Sequence, residues 1–343
     1  MPSPSPWVIA ATASALAELA PLLAARAARQ PVCVLKDQVD AALADPAACL
    51  PRGAEALLVV GNPRRGPRRA LRGLWVGDAS GKNVPVGWLP AETARLATYA
   101  VAAAKVLERP PGPGPLAVLG QWEDRFLRVA LRTSRWMEKY AAAPAVFHWT
   151  ADRISRTDLI DALGCGPGVA VYYGHGRANG WAGYHGVRTG HFPAEWDEPI
   201  GSLLALCCEN ASRRGGRMSF AEDLVLRGVC AGTLASAGKT RHEDNRQLGP
   251  ALCEALAAGK ARTLADLVAS ADVPAGFWDR TTYRFIGDPA APLSGASDSI
   301  ERAGRVAAPG PNDSLPSWPE DPAEFAEAET ARENTALETG SGF

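Results

Sequence analysis

Short, almost continuous apolar runs separated by stretches of helical length constrain this chain more than any other feature. Trp7-Val8-Ile9-Ala10-Ala11, Pro31-Val32-Cys33-Val34-Leu35 and Ala56-Leu57-Leu58-Val59-Val60 show no alternation of polar and apolar residues. A strand that is apolar at every position is covered on both faces, which is the mark of a parallel sheet between two helical layers. Residues 116–119, 145–149, 169–173, 203–207 and 229–235 continue the series, the third and fourth most clearly. Helices are expected at 14–28, 126–140, 158–163, 219–227, 250–258 and 263–270, and a turn leading into a long helix over 85–108. The run Pro110-Pro111-Gly112-Pro113-Gly114-Pro115 interrupts everything. It divides an N-terminal α/β subdomain, 1–110, from a second one, 116–293.

The remainder, 294–343, differs in character. Between 301 and 343 stand nine acidic residues against three arginines, in a Pro/Gly/Ser-rich setting. Such a stretch reads as a largely disordered acidic tail, with a short helix at 322–337. The whole chain of 343 residues is 47% hydrophobic, enough for a sizeable core. Its 36 Lys and Arg balance 37 Asp and Glu, which argues against a nucleic-acid partner. Arg64, Arg65, Arg68, Arg69 and Arg72 form a local basic run, either a solvated loop face or an anion or partner patch. Seven cysteines without a CxxC pair indicate neither a disulfide framework nor a zinc ribbon. Glu18 interrupts the apolar start, no basic residue precedes it, and no membrane-spanning run exists, so a cytoplasmic protein without membrane partners is expected. Neither GxGxxG after the first strand nor a P-loop is present, so no cofactor is expected.

One pairing carries chemistry. The 169–173 run ends in Tyr173-Gly174-His175-Gly176, and the 203–207 run leads into Cys207-Cys208-Glu209-Asn210-Ala211. Two neighbouring strands of one parallel sheet would raise both side chains at its carboxyl edge, where open α/β sheets place their sites. A thiol is a strong nucleophile as thiolate, and an imidazole takes its proton. Glycines around His175 free backbone amides for a developing oxyanion. The chemistry such a pair suits is acyl transfer: attack on a peptide carbonyl, a thioester, then hydrolysis. Strand alternation alone leaves Cys207 and Cys208 equally eligible. Histidines after strands and cysteines within them are also common structural residues. His185 and His191 follow in a Gly-rich loop, but their spacing with Cys208 fits no zinc pattern, so no metal is expected. Cys33, Cys49, Cys165, Cys230 and Cys253 read as core.

The wider set of motifs resembles the gingipain family of caspase-like cysteine peptidases. Its carriers are the Gly-His-Gly turn with Trp181 after it, Cys207-Cys208-Glu209-Asn210-Ala211, Ser219-Phe220-Ala221-Glu222, and Tyr283-Arg284-Phe285-Ile286-Gly287-Asp288-Pro289. Leu58-Val59-Val60-Gly61-Asn62 and Val86-Gly87-Trp88-Leu89-Pro90, with Glu92, Thr93 and Lys105, extend the likeness to about residues 7–293. It implies a caspase–hemoglobinase-like three-layer α/β/α sandwich with a mostly parallel sheet in two subdomains, the second catalytic. It also implies Cys208 as nucleophile, His175 as general acid/base, and the amides of Gly176 and Cys208 as oxyanion hole. Trp88 stands where the family usually has Arg, Asn62 where it has Asp, and Ala211 where Gly is common. The secretion signal typical of gingipains is absent, which points to an intracellular relative.

For the substrate residue before the scissile bond, P1, two selectors compete. Glu123 and Asp124 follow the 116–119 strand, near where the resemblance places an acidic selector for Arg or Lys. Lys239 and Arg241 follow the 229–235 strand and would select an acidic residue, as in caspases. Trp181 completes the substrate-binding set. The resemblance leans to basic P1, and a Glu123–Arg125 pair would silence it. The function expected is limited proteolysis of protein or peptide substrates in bacterial signalling or defence, with an activating protein partner by analogy. The alternative is a catalytically silent caspase-like module that binds proteins.

Overall fold

Each apolar run becomes a strand; those at 7–11, 56–61 and 169–173 are buried at every position, whereas the strand at 32–36, at one end of the sheet, leaves Val34 43% exposed. The computed structural model describes residues 5–306 apart from 113, 141–142, 144, 195 and 297. The strands are β1 (Trp7–Ala11), β2 (Val32–Lys36), β3 (Ala56–Gly61), β4 (Trp75–Gly77), β5 (Asn83–Pro90), β6 (Leu116–Gly120), β7 (Val146–Thr150), β8 (Val169–Tyr173), β9 (Gly176–Arg177), β10 (Gly180–Trp181), β11 (Ile200–Leu206), β12 (Cys230–Ser236) and β13 (Tyr283–Gly287). Among the described residues eleven of them form one sheet, ordered β2-β1-β3-β5-β13-β12-β11-β8-β6-β7, with β4 paired to β5. β9 and β10 make a separate hairpin.

Successive strand residues enter opposite cores. Ala170 and Tyr172 of β8, with Leu203 and Ala205 of β11, face a core covered by the helices Ala20–Ala27, Thr93–Glu108, Arg156–Leu163 and Phe220–Leu226. Val171 and Tyr173, with Leu204 and Leu206, face a second core under the helices Asp124–Tyr140, His242–Ala257 and Leu264–Ala269. The result is the three-layer α/β/α sandwich with a mostly parallel sheet expected from the sequence.

Two central strands run against the local signals. The segment expected as a turn before a helix is the eight-residue strand β5, disguised by Pro85, Gly87 and Pro90, residue types depleted from sheet interiors. Gly87 is required there, because a Cβ would lie 2.2 Å from Gly287 O. β13 pairs on one side with β5, through Phe285 and Ile286 against Gly87 and Trp88, and antiparallel with β12 on the other. Segments 1–110 and 116–293 therefore share one continuous sheet. The helix expected over 14–28 divides at Leu19 into Ala13–Glu18 and Ala20–Ala27, the second with Pro21 in its first turn. The one expected from 250 begins instead at His242 and carries Pro250 inside.

Buried polar groups fasten the middle of the sheet. Asp288 accepts from Trp7 Nε1 and Arg26 Nε, each at 3.1 Å, and ion-pairs with Arg26. Glu222, fully buried, accepts from Trp88 Nε1 at 3.0 Å and pairs with Arg213 at 2.7 Å. At position 88, where the resemblance expects an Arg, stands an indole that donates to Glu222, and the charge facing that carboxylate comes from Arg213. Past 293 the chain forms the helix Ser299–Val306, which packs on Arg156–Leu163 and buries Ala303. The helix expected at 322–337 lies outside the described residues.

Candidate active site

Sheet register brings the two reactive residue types together. Tyr173 of β8 lies opposite Leu206 of β11 in parallel pairing. His175 and Cys208 each stand two residues further on, so both leave the same carboxyl edge at the same height. Gly176 closes the gap: a Cβ there would lie 2.2 Å from Cys208 O and 2.6 Å from Cys207 Sγ. Only glycine lets the turn after the imidazole rest against the turn carrying the thiols.

Asn210 locks these turns. Its Oδ1 accepts from Trp181 Nε1 at 2.7 Å and from Cys207 Sγ at 2.9 Å. Its Nδ2 donates to Arg177 O at 2.8 Å and Gly180 O at 3.2 Å. The β9–β10 hairpin that follows His175 is thereby tied to the thiol turn. Trp181 is 1% exposed and stacks on Tyr172 at 4.4 Å. It is a wall behind the site and offers no surface to a peptide, which corrects its expected substrate-binding role.

The imidazole is held from one side. His175 Nε2 lies 3.1 Å from Glu123 Oε1 and 2.8 Å from Arg125 Nη2. The Phe126 ring meets it edge-on at 5.2 Å. Gln121, at the end of β6, accepts the His175 amide proton at 2.8 Å and donates to Glu123 Oε1 at 2.8 Å. Nδ1 has no partner among the described residues. Glu123 also pairs with Arg125 at 2.8 Å, and Asp124 with Arg128. The acidic selectors expected for a basic P1 are thus both engaged: Glu123 orients the imidazole, and the lean to basic P1 loses its support. Lys239 and Arg241 are exposed and carry no ion pair among the described residues.

The two thiols part company. Cys207 continues the alternation of Leu203 and Ala205 into the core and is 1% exposed. Burial pushes its thiol well above the ordinary value, and the neighbouring Cys208 adds to this. Burial likewise raises Cys33, Cys165, Cys230 and Cys253, the last to about 12. Cys208 is half-buried at the edge, and the Thr240 amide donates to its Sγ at 3.4 Å. The Thr240 hydroxyl is also 3.4 Å from that sulfur. Thr240 is set in turn by Asn245, whose Nδ2 donates to Thr240 Oγ1 and to Leu206 O, both at 3.2 Å. The Cys208 amide meets no acceptor among the described residues. Directly after it Glu209 takes a left-handed φ of 58°, unusual for a side-chain-bearing residue. Its amide bond to Gly238 O at 2.8 Å and its ion pair with Arg214 at 2.6 Å hold that strain at the site.

His185 and His191 lie apart from this constellation. The His185 ring packs 4.9 Å from Trp122, and His191 Nδ1 accepts from the Arg188 amide at 3.0 Å. Gln121 and Thr240 are positioning residues that sequence reasoning passed over, whereas Asn210 stood in the thiol motif without an assigned role. Gln121 had one signal, its place immediately beyond a strand end.

The class that such an edge defines is that of the caspase-like cysteine peptidases. Residues 76–294 match Peptidase family C25, and the chain belongs to that family, as a cysteine-type endopeptidase. Its fold is similar to that of the Arg-specific cysteine proteinase gingipain R, with a TM-score of 0.62 and 14% identity over 85% of this chain and 79% of that one. The complex of pro- and mature domains of Porphyromonas gingivalis RgpB is similar at a TM-score of 0.63 and 15% identity, over 83% of this chain and 79% of that one. No curated protein matches the sequence.

Proposed function

We propose that Cys208 and His175 form the catalytic pair of an endopeptidase that cuts protein substrates at restricted positions. The observation that carries the reading is the division of labour on the imidazole: Nε2–H donates to Glu123, whose carboxylate Arg125 also pairs, and Nδ1 has no partner among the described residues. Nδ1 accepts the thiol proton and the thiolate adds to the scissile carbonyl carbon. The proton then passes to the amide nitrogen as the C–N bond breaks, leaving a thioester and a free amine. A water molecule deprotonated by His175 hydrolyses the thioester and restores the thiol.

The oxyanion has two donors. The Cys208 amide meets no other acceptor among the described residues. In the hairpin, Ala182 donates to His175 O, so the adjacent Gly176–Trp181 pair is the non-bonded kind, with amides turned away from the partner strand. Lys239 and Arg241 flank the Thr240 that touches the sulfur, and their unpaired charge favours an acidic P1 side chain. Seven free cysteines support a reducing, cytoplasmic setting, in which limited proteolysis serves signalling or defence with an activating partner.

A P1-diverse fluorogenic peptide library tests the reading. Cleavage after Asp or Glu, abolished in Cys208→Ala and His175→Ala, is the expected result. Cleavage after Arg or Lys overturns the P1 assignment. A folded protein that hydrolyses nothing, with or without cell extract, is instead the silent interaction module.

A further inference from the structure

The carboxyl edge carries a second feature that the chemistry at Cys208 does not use. The loop after β3 bears Arg64, Arg68 and Arg69, and it meets the segment that follows the thiols. Arg213 donates to Pro63 O, and its Cδ would lie 3.1 Å from a Cβ at Gly66. Between these loops opens a cavity of about 420 Å³, lined by Arg64, Arg68, Arg69, Arg213 and the backbone around Ala211 and Gly215. Among the described residues no acidic one lines it.

Its charges differ in kind. Arg213 is structural, because Nε and Nη2 both engage the buried carboxylate of Glu222, at 2.8 and 2.7 Å. Arg64, Arg68 and Arg69 are exposed, and their guanidinium groups have no hydrogen-bond or ion-pair partner among the described residues. Beside them Arg284, 7% exposed, rests on carbonyl oxygens of Leu71, Arg72 and Tyr283, with no carboxylate partner among the described residues. Burial, and after it the charge of Arg68, hold the Arg284 guanidinium below its ordinary value. Positive charge is therefore concentrated around a concave site on rigid supports and left unrelieved.

We propose that this cavity is a subsite for an acidic stretch of the protein substrate, lying beside the scissile bond and distinct from the P1 contact. Guanidinium groups bind carboxylates through paired N–H donors, which gives geometry as well as attraction. The wall of the cavity is the thiol turn itself: Ala211 stands three residues after Cys208, and its amide is bonded to Ser236 O at 2.8 Å. Three residues of chain span at most roughly 10 Å, and an extended peptide advances about 3.3 Å per residue, so a side chain within roughly three positions of the scissile bond reaches this wall. The basic residues gather at one pocket of a chain with net charge −1, whereas a nucleic-acid groove asks for a basic stripe. The assignment of this stretch to a substrate rests on the peptidase reading; the binding of acidic peptide does not.

Fluorescence anisotropy on the full-length Cys208→Ala protein separates the two. Fluorescein-labelled hexaglutamate is expected to bind and hexaglutamine not to. The double variant Arg68→Ala/Arg69→Ala should weaken hexaglutamate at least about tenfold, and Arg64→Ala by a smaller factor, whereas exposed Arg52→Ala should leave it unchanged. Equal binding to the double variant and its parent overturns the proposal, as does equal weakening by Arg52→Ala, which marks diffuse attraction. In the active enzyme the double variant should raise KM for substrates with flanking acidic residues and leave both kcat and Cys208 labelling as they were. A fall in kcat without a rise in KM contradicts a binding subsite. Loss of hexaglutamate binding with intact turnover thus bears on the cavity, and absent turnover with intact binding bears on the peptidase reading.

Discussion

Two sets of guanidinium–carboxylate pairs, one in the middle of the sheet and one at its edge, use the same chemistry to opposite ends. In the middle, the Arg26 and Asp288 side chains are 4% and 2% exposed, and those of Arg213 and Glu222 are 10% and 0%. Trp7, Trp88 and Ser219 take up the remaining valences. Buried charges of this sort hold only when every partner is in place, so they cannot exchange partners or protons without loss of structure. At the edge, Glu123, Arg125 and His175 are 37%, 44% and 50% exposed, and one imidazole nitrogen stays unengaged. The two adjacent cysteines repeat the contrast, Cys207 sealed and Cys208 reachable. Exposure, more than residue type, separates the groups that hold the sheet from those we propose to react.

The largest expected effect isolates the edge. Cys208→Ala should reduce turnover at least about ten-thousandfold with an unchanged melting temperature, whereas Cys207→Ala keeps turnover and loses about 1–2 kcal/mol in chemical denaturation. Next comes the middle. Asp288→Asn leaves Arg26 buried without its counter-charge and should cost about 3–5 kcal/mol, read by the same denaturation; a variant as stable as the parent breaks the comparison. Glu123→Gln inverts this pattern. As a half-exposed pair its loss should cost under about 1 kcal/mol of stability, yet lower kcat about ten- to a hundredfold through misplacement of His175, with KM little changed.

The smallest effect is a titration. Burial raises the Cys207 thiol in the folded chain, whereas unfolded thiols ionise near about 8.5. Above that pH the unfolded state releases a proton that the native state retains, so stability falls as pH rises. Below it the contribution is fully present. The slope approaches about 1.4 kcal/mol per pH unit for one such thiol, and Cys207→Ala should flatten the denaturation-against-pH curve by that amount.

β1, β3, β8 and β11 were legible because burial on both faces leaves no other composition open to them. β5 and β13 were not. Pro85, Gly87 and Pro90 imitate a turn, and Arg284 puts a charge in a central strand, where it survives on the neighbouring Tyr283 O and on two carbonyl oxygens distant in sequence, those of Leu71 and Arg72. That His175 and Cys208 leave one carboxyl edge together was legible from their places after strand ends. The role of Glu123 was not, because sequence does not show that the 121–125 segment folds back over the imidazole. Trp181 misled for a related reason: a motif aromatic near a reactive residue reads the same whether it faces a peptide or, as here, Asn210 and Tyr172.

Whether exposure selects the reacting thiol is most directly measured with a peptidyl acyloxymethyl ketone carrying Asp at P1, followed by intact-mass analysis and mapping of the modified peptide. One adduct, on Cys208, retained in Cys207→Ala and lost in both Cys208→Ala and His175→Ala, is the result expected. An adduct on Cys207, or equal labelling after Cys208→Ala, contradicts the assignment.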